Sequence, residues 1–546
     1  MHTPPRQERH YTAMISTPQP EATEAGTRIL RAGGNVVDAA IAAALVQGVV
    51  DPLMCGIGGF GVVQVALPDG RSFVIDGLGT SPSGVDELMW ENDLLGPTPD
   101  GFGYRVRNYV NETGPASVMV PGTVKLLEEL HSRFGSVPWE ELFVDAIRHA
   151  KDGWLIRPHV HTVLVQNEAK YGRMNFGDKL SNTPDGLRIY LRDGELPLVG
   201  DTIINPELAE SLTLLAEQGG SAFYTGSFAE AIATSTQTDG GVLTAQDLAA
   251  YSLVDREPLR VTYRDVEVSS PPQPAGGVQL LEMLGILNEF SLSDLEHNSP
   301  AHLQLLAEAM KRSLRDKEAL WGSASTTDEN YAALLRPDSF QSAAADIRSG
   351  VKVDVDSARY ESRHTTHLSA MDEEGFTISL THTLGNPSGY IPQGTGFIMN
   401  GGMSTFDPRP GSTNSIAPGK RRNSTMAPSI VLSENIPIMS VGAPGASWIG
   451  PGMAQVISNV FDFGMPVQDA IMAPRAVATS NAIDISNRIP RETELDLIAR
   501  GYPVRRSALS YAFSGVHAVT RLDGRIRGGA DPQRDGYADG RYATGI

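Results

Sequence analysis

The chain has 546 residues, of which 41% are hydrophobic and 20% charged, a balance that suits a soluble folded protein with a substantial core and room for two or three domains. Its formal net charge of −20 argues against nucleic acid and anionic membrane surfaces as partners and favours a small-molecule substrate. A single cysteine, Cys55, excludes an internal disulfide and any cysteine-cluster metal centre.

The first ten residues lack an apolar signal core, and no stretch approaches 18 uninterrupted apolar residues, so neither a secretory signal nor a membrane span is read. Residues 21–50 place Ala, Val, Ile and Leu at helical spacing, interrupted at Gly33-Gly34. This predicts two packed helices, the second capped by Asn35 with Asp38 at its N3 position. The run Gly56-Ile57-Gly58-Gly59-Phe60-Gly61 spells G-x-G-x-x-G. An Ala-rich helix precedes it and an alternating strand over 61–67 follows, the reverse of the order that a dinucleotide site needs, so the glycines read as close backbone packing. Pro68-Asp69-Gly70 predicts a hairpin turn into a strand over 72–76, and helices are expected over 123–134, 138–152 and 452–471. His302 and Glu308 do not share one helix face at metal-ligand spacing and read as packing and capping residues. Residues 322–362 are polar with few aromatics and suit a mobile linker.

The next stretch, 363–384, alternates with period two: Leu368 and Ala370, then Phe376, Ile378 and Leu380, are each separated by polar residues. Glu373-Glu374-Gly375 suits a three-residue loop closed by a left-handed glycine, so a hairpin is predicted. With Asp372 opposite Phe376, that loop sets Thr365 opposite Thr383. On the pattern alone, two facing hydroxyls are a cross-strand threonine pair.

The run Thr365-Thr366-His367 with Ser369, Gly375 and Thr381-His382-Thr383-Leu384 resembles the γ-glutamyltransferase family of N-terminal nucleophile hydrolases. The resemblance extends over roughly residues 12–546, including 25–40, 114–123, 243–251, 271–277, 302–311, 441–447, 473–475 and 531–536. It implies an α+β fold, the four-layer αββα sandwich, as one intertwined domain. It also implies self-cleavage between His364 and Thr365 into a large subunit, 1–364, and a small subunit, 365–546, with a dimer of such pairs as a further option. Thr365 would be the nucleophile, because its freed α-amine, with a pKa near 8, can take the hydroxyl proton at neutral pH, and Thr383 would orient it. Gly445 and Ala446 stand where the family's glycine pair forms the oxyanion hole, and Ser424 and Thr425 where two hydroxyl residues contact the substrate carboxylate. No metal or organic cofactor is implied. Bacterial relatives are often exported, and the missing signal favours a cytoplasmic enzyme here.

The amino-acid pocket departs from the family. The arginine that grips the substrate α-carboxylate is absent from 76–82; Gly402 and Thr405 occupy the places of an amide and an acid that hold the α-amino group; and Gly385 replaces an asparagine, with Asn386 one place later. Arg421 and Arg422 read as solvated charges or as a replacement clamp, and the loop over 406–424 is shorter than the family's lid-bearing loop, implying an open site. The pattern points to an amidohydrolase or acylase acting on a small acyl amide. A genuine γ-glutamyltransferase or glutathione hydrolase with rearranged contacts is the alternative, and an unprocessed, inactive relative a further one.

Overall fold

Valine and alanine fill 36–50 on every side, and a helix apolar all round belongs between layers rather than at a surface. In the computed structural model, which describes residues 10–99, 103–323, 325–355 and 364–543, this segment is the second of two helices, α1 (Pro20–Arg31) and α2 (Val36–Val50). The predicted cap is present: the Asn35 side chain accepts from the amides of Val37 and Asp38, and the Asp38 carboxylate accepts from the Asn35 amide.

The strands, in chain order, are β1 (Tyr11–Thr17), β2 (Phe60–Ala66), β3 (Ser72–Gly77), β4 (Val254–Arg256), β5 (Leu259–Tyr263), β6 (Val266–Ser270), β7 (Thr366–Asp372), β8 (Thr377–Thr383), β9 (Ser429–Ser433), β10 (Ile436–Gly442), β11 (His517–Leu522), β12 (Arg525–Ala530) and β13 (Tyr537–Tyr542), with shorter ribbons elsewhere. Among the described residues they build a seven-stranded sheet in the order β13-β1-β7-β8-β2-β3-β4 and a six-stranded sheet in the order β12-β11-β10-β9-β6-β5. β7 packs on β10 and β11 across the interface between the two sheets. Helices α1 and α2 cover the outer face of the larger sheet, while helices at Gly277–Asn288 and Ile449–Phe461 cover the smaller one. The result is the expected α+β, four-layer αββα sandwich.

The central hairpin keeps the register its loop dictates: Thr366 pairs with His382 and Leu368 with Leu380, and Gly375 takes φ 97°. Two expectations fail. Residues 322–362 are not a mobile linker throughout, because Asp328–Leu334 and Pro337–Arg348 are helices, the second burying Phe340, Ala344 and Ile347. The rest of that expected linker, from 356, lies outside the described residues, which resume at His364. Nor is 452–471 one helix; it breaks between Ile449–Phe461 and Val467–Met472. His302 and Glu308 are structural: the Asn298 amide donates to His302 Nδ1 at 3.0 Å, and Glu308 meets the Tyr502 hydroxyl at 2.9 Å.

Candidate active site

Thr365 sits just before β7, at the start of a strand held on both sides by neighbours, and Thr383 ends the adjacent β8. The Thr365 hydroxyl donates to Thr383 Oγ at 3.1 Å, and Thr383 Oγ also accepts from the Gly385 amide at 2.8 Å. Thr365 has φ 90°, a genuine outlier for a β-branched residue that costs about 1–3 kcal/mol and is held only by its surroundings. The strain falls on the residue that follows the expected scissile bond. Thr365 and Thr405 are each only 7% exposed, so in the uncut chain the site is covered rather than open.

The Gly56–Gly61 turn does serve close packing. A Cβ at Gly59 would stand 2.4 Å from the Thr383 carbonyl oxygen, and the Gly59 carbonyl accepts from the amides of Gly122 and Thr123. This loop therefore sets the height of Thr383.

Around His364 four buried basic residues converge. Burial, then the charges of Arg173, Lys179, Arg534 and Arg422, hold the His364 imidazole well below its usual range, so it is neutral. Arg534 Nη1 reaches the Thr365 carbonyl at 3.4 Å. Arg422 is not a solvated charge: it lies over the Phe60 ring at 4.9 Å and donates to Thr405 Oγ at 3.0 Å, and burial lowers its pKa to about 9. Arg421 is held elsewhere, donating to the Leu78 carbonyl at 2.6 Å and approaching Asp76 at 3.4 Å. Asn386 accepts from Lys179 Nζ at 2.7 Å and donates to Glu112 at 3.1 Å. Glu112 lies 3.5 Å from both Arg173 and Lys179.

The oxyanion candidates follow β10, whose last residue, Gly442, packs on the His367 imidazole. Gly445 has φ 129° and Ala446 φ 48°, and the Ser514 hydroxyl donates to the Pro444 carbonyl at 2.7 Å, bracing the turn. Ser424 and Thr425 belong to a different contact: the Ser424 amide donates to the Pro274 carbonyl at 2.7 Å, and the Thr425 backbone packs against Gly276. Among the described residues no hydrogen bond joins either to Thr365 or Thr383. Sequence reading missed Arg173, Lys179, Glu112 and Arg534. Arg173, Lys179 and Glu112 are single charges with no motif around them, and only the folded chain brings Arg173 and Lys179 to His364 and Glu112 to both of them.

Behind Thr365 runs a buried amide network. Gln19 donates to Asp51 at 2.7 Å, Gln47 donates to Gln19 at 2.7 Å and to Thr366 Oγ at 3.1 Å, and His382 Nε2 lies 2.9 Å from Gln47. Burial pushes the Asp51 carboxyl from its usual 3.8 up to about 7, against the Gln19 hydrogen bond and the Arg534 charge. The folded chain therefore binds a proton that the unfolded chain has already released. Stability from this group is complete below about pH 4 and is lost as the pH rises to about 7, on the order of 4 kcal/mol in all. Asp51→Asn, which carries no such charge, should be the more stable protein at pH 8 and show a flatter stability profile between pH 4 and 8. Urea unfolding at both ends of that range checks this, and identical slopes for the two proteins would refute it.

Comparison with known proteins finds relatives along nearly the whole chain. An acylase ACY 1 proenzyme of Pseudomonas sp. (strain SE83) is 35% identical over 538 residues, covering 96% of this chain and 92% of the relative. The glutathione hydrolase proenzyme of Pseudomonas aeruginosa is 32% identical, covering 84% of this chain and 82% of its own. The crystal structure of cephalosporin acylase from Bacillus halodurans superposes with a TM-score of 0.84 at 26% identity, covering 100% of this chain and 98% of that one. Residues 22–540 match the profile described as Gamma-glutamyltranspeptidase, and with the threonine pair at the head of its central hairpin the chain belongs to that family of hydrolase and transferase enzymes.

Proposed function

We propose that this protein is a self-cleaving acylase that hydrolyses a small amide whose acyl group ends in an anion and carries no α-ammonium. The observation that carries the reading is the Thr365–Thr383 pair set beside Arg173, Lys179 and Arg422. In the first step Thr365 Oγ attacks the His364 carbonyl carbon, the C–N bond breaks, and the nitrogen takes a proton to become the new α-amine. Water then hydrolyses the resulting ester. In each later turnover the amine takes the Thr365 hydroxyl proton as Oγ attacks the substrate amide, and passes it to the departing amine; water releases the acyl group. Thr383 holds the hydroxyl in line, and the amides at Gly445 and Ala446 meet the negative charge that develops on the carbonyl oxygen.

Three cations favour a terminal carboxylate, while Glu112, engaged with Arg173, Lys179 and Asn386, is committed to holding the first two. A charged group buried without its partner loses more than a neutral hydrogen bond would. A glutaryl anilide should therefore have a kcat/KM equal to or above that of the γ-glutamyl anilide on the processed enzyme. A preference for the γ-glutamyl compound of about 100-fold would instead identify a γ-glutamyltransferase with rebuilt contacts. The first relative above, an acylase proenzyme, supports the acylase reading; the glutathione hydrolase proenzyme keeps the transferase reading as the one to beat.

A further inference from the structure

A cavity of about 300 Å³ lies between the last turns of the helix Pro300–Gly322 and the short loop that leads from Thr405 to Asn423. The helix supplies Lys317 and Trp321, four residues apart and so on one face, while the loop supplies Asp407, Arg409 and Asn423. The Thr413 hydroxyl ties the two elements together, donating to the Trp321 carbonyl at 2.8 Å. The acceptors of this cavity are taken and its donors are not. Asp407 accepts from Arg409 Nε and Nη2, each at 2.9 Å, and from the Tyr104 hydroxyl at 2.8 Å; Asn414 Oδ1 accepts from the Asn423 amide at 3.2 Å. Against these, the Trp321 indole Nε1 and the Asn423 Nδ2 are buried with no hydrogen-bond partner among the described residues. The Lys317 ammonium stands 4.8 Å from the Trp321 ring centroid and has no ion pair or hydrogen bond among the described residues.

A buried donor left without an acceptor destabilises the fold, and an oxygen-rich anion would satisfy all three of these at once. Donors from three separate side chains, one of them charged, suit a head with at least three acceptor oxygens rather than a carboxylate with two. We infer that this cavity is a binding site for a small oxyanion, a phosphate or phosphate monoester, held by Lys317, Trp321 and Asn423 and pinning the short loop to the helix. The site does not depend on the acylase reading. Its link with the surroundings of the threonine pair is Thr405, which lines the cavity while its Oγ accepts from Arg422 Nη1 at 3.0 Å.

Titration calorimetry of the full chain with inorganic phosphate and with phenyl phosphate should show one saturable site. Lys317→Met should weaken binding about 10-fold or more, and Trp321→Phe, which keeps an aromatic ring but removes the N–H, about 5-fold. Phosphate should raise the Tm of the parent and leave that of Lys317→Met unchanged. Burial draws the Lys317 ammonium from its usual 10.5 down to about 8. The groups that face it are Glu318 on its own helix and Asp407, Arg409 and Tyr104 across the cavity; Arg409 keeps the Asp407 carboxyl below its ordinary range, and burial pushes the Tyr104 hydroxyl up to about 12. Lys317 is therefore the group that changes charge between about pH 7.5 and 9.5, where phenyl phosphate is already a dianion. The affinity for phenyl phosphate should fall across that range in the parent and stay level in Lys317→Met. Tighter binding of phenyl phosphate than of phosphate supports the site in its monoester form, and the reverse supports it as a site for the free ion. No saturable binding of either anion, or equal binding by the parent, Lys317→Met and Trp321→Phe, overturns the inference.

Discussion

Thr365→Ala is expected to remain a single uncut chain and to show no amidase activity. On the proposed mechanism both reactions begin with attack by the same oxygen, so removing it removes both, whereas losing a residue that only orients the nucleophile slows them. The contrast comes from Thr383→Ala, where the 3.1 Å contact is lost but the hydroxyl and the future amine remain. A decrease of about 10- to 1000-fold, worth about 1.4–4 kcal/mol, is expected there. Denaturing gels and N-terminal sequencing decide the matter: the parent's smaller band should begin Thr-Thr-His-Leu. Cleavage or full turnover in Thr365→Ala would place the nucleophile elsewhere.

Gly59→Ala is expected to be nearly as damaging, although Gly59 touches no substrate. A methyl group there would sit 2.4 Å from the Thr383 carbonyl oxygen and 3.1 Å from the Gly56 carbonyl oxygen, and neither backbone can retreat as a side chain would. The turn is fixed on its other side by the Gly122 and Thr123 amides. Overpacking of a close-packed interior costs about 1–3 kcal/mol when side chains absorb it, and backbone contacts on both sides put this case at or above that range. The expected outcome is a lower Tm together with slow or absent self-cleavage, since Thr383 must shift to relieve the clash. A variant with parental Tm and parental processing would show that the loop does not set the threonine pair.

The hairpin was legible because its determinants are local: a two-residue period, and a turn that needs a positive φ at Gly375. The cap of α2 was legible for the same reason, since Asn35 and Asp38 satisfy each other within one turn. The helix Pro337–Arg348 was misread because polar composition outweighed a short apolar stripe. Phe340, Ala344 and Ile347 lie at helical spacing, and the Phe340 ring packs on Gly285, a partner that no local window reveals. The cationic lining was illegible for a stronger reason. Arg173, Arg422 and Arg534 come from three distant parts of the chain, and their convergence on His364 is a property of the tertiary fold rather than of any motif. Arg421 and Arg422 show the limit sharply: adjacent in sequence, one is tied to Asp76 and the other to Thr405.

The larger sheet threads β1 between β13 and β7, so a strand from before Thr365 lies between two from after it. Before cutting, that order is reached by one molecule folding on itself. After cutting, the same arrangement would require two separate chains to meet and interleave, a concentration-dependent event in which each alone exposes bare strand edges. The proposed cut would thus be a point of no return: the mature enzyme would carry a shape it no longer has an efficient way to find. Its durability would then be a lifetime, set by how rarely the interleaved strands part, rather than an equilibrium between folded and unfolded forms.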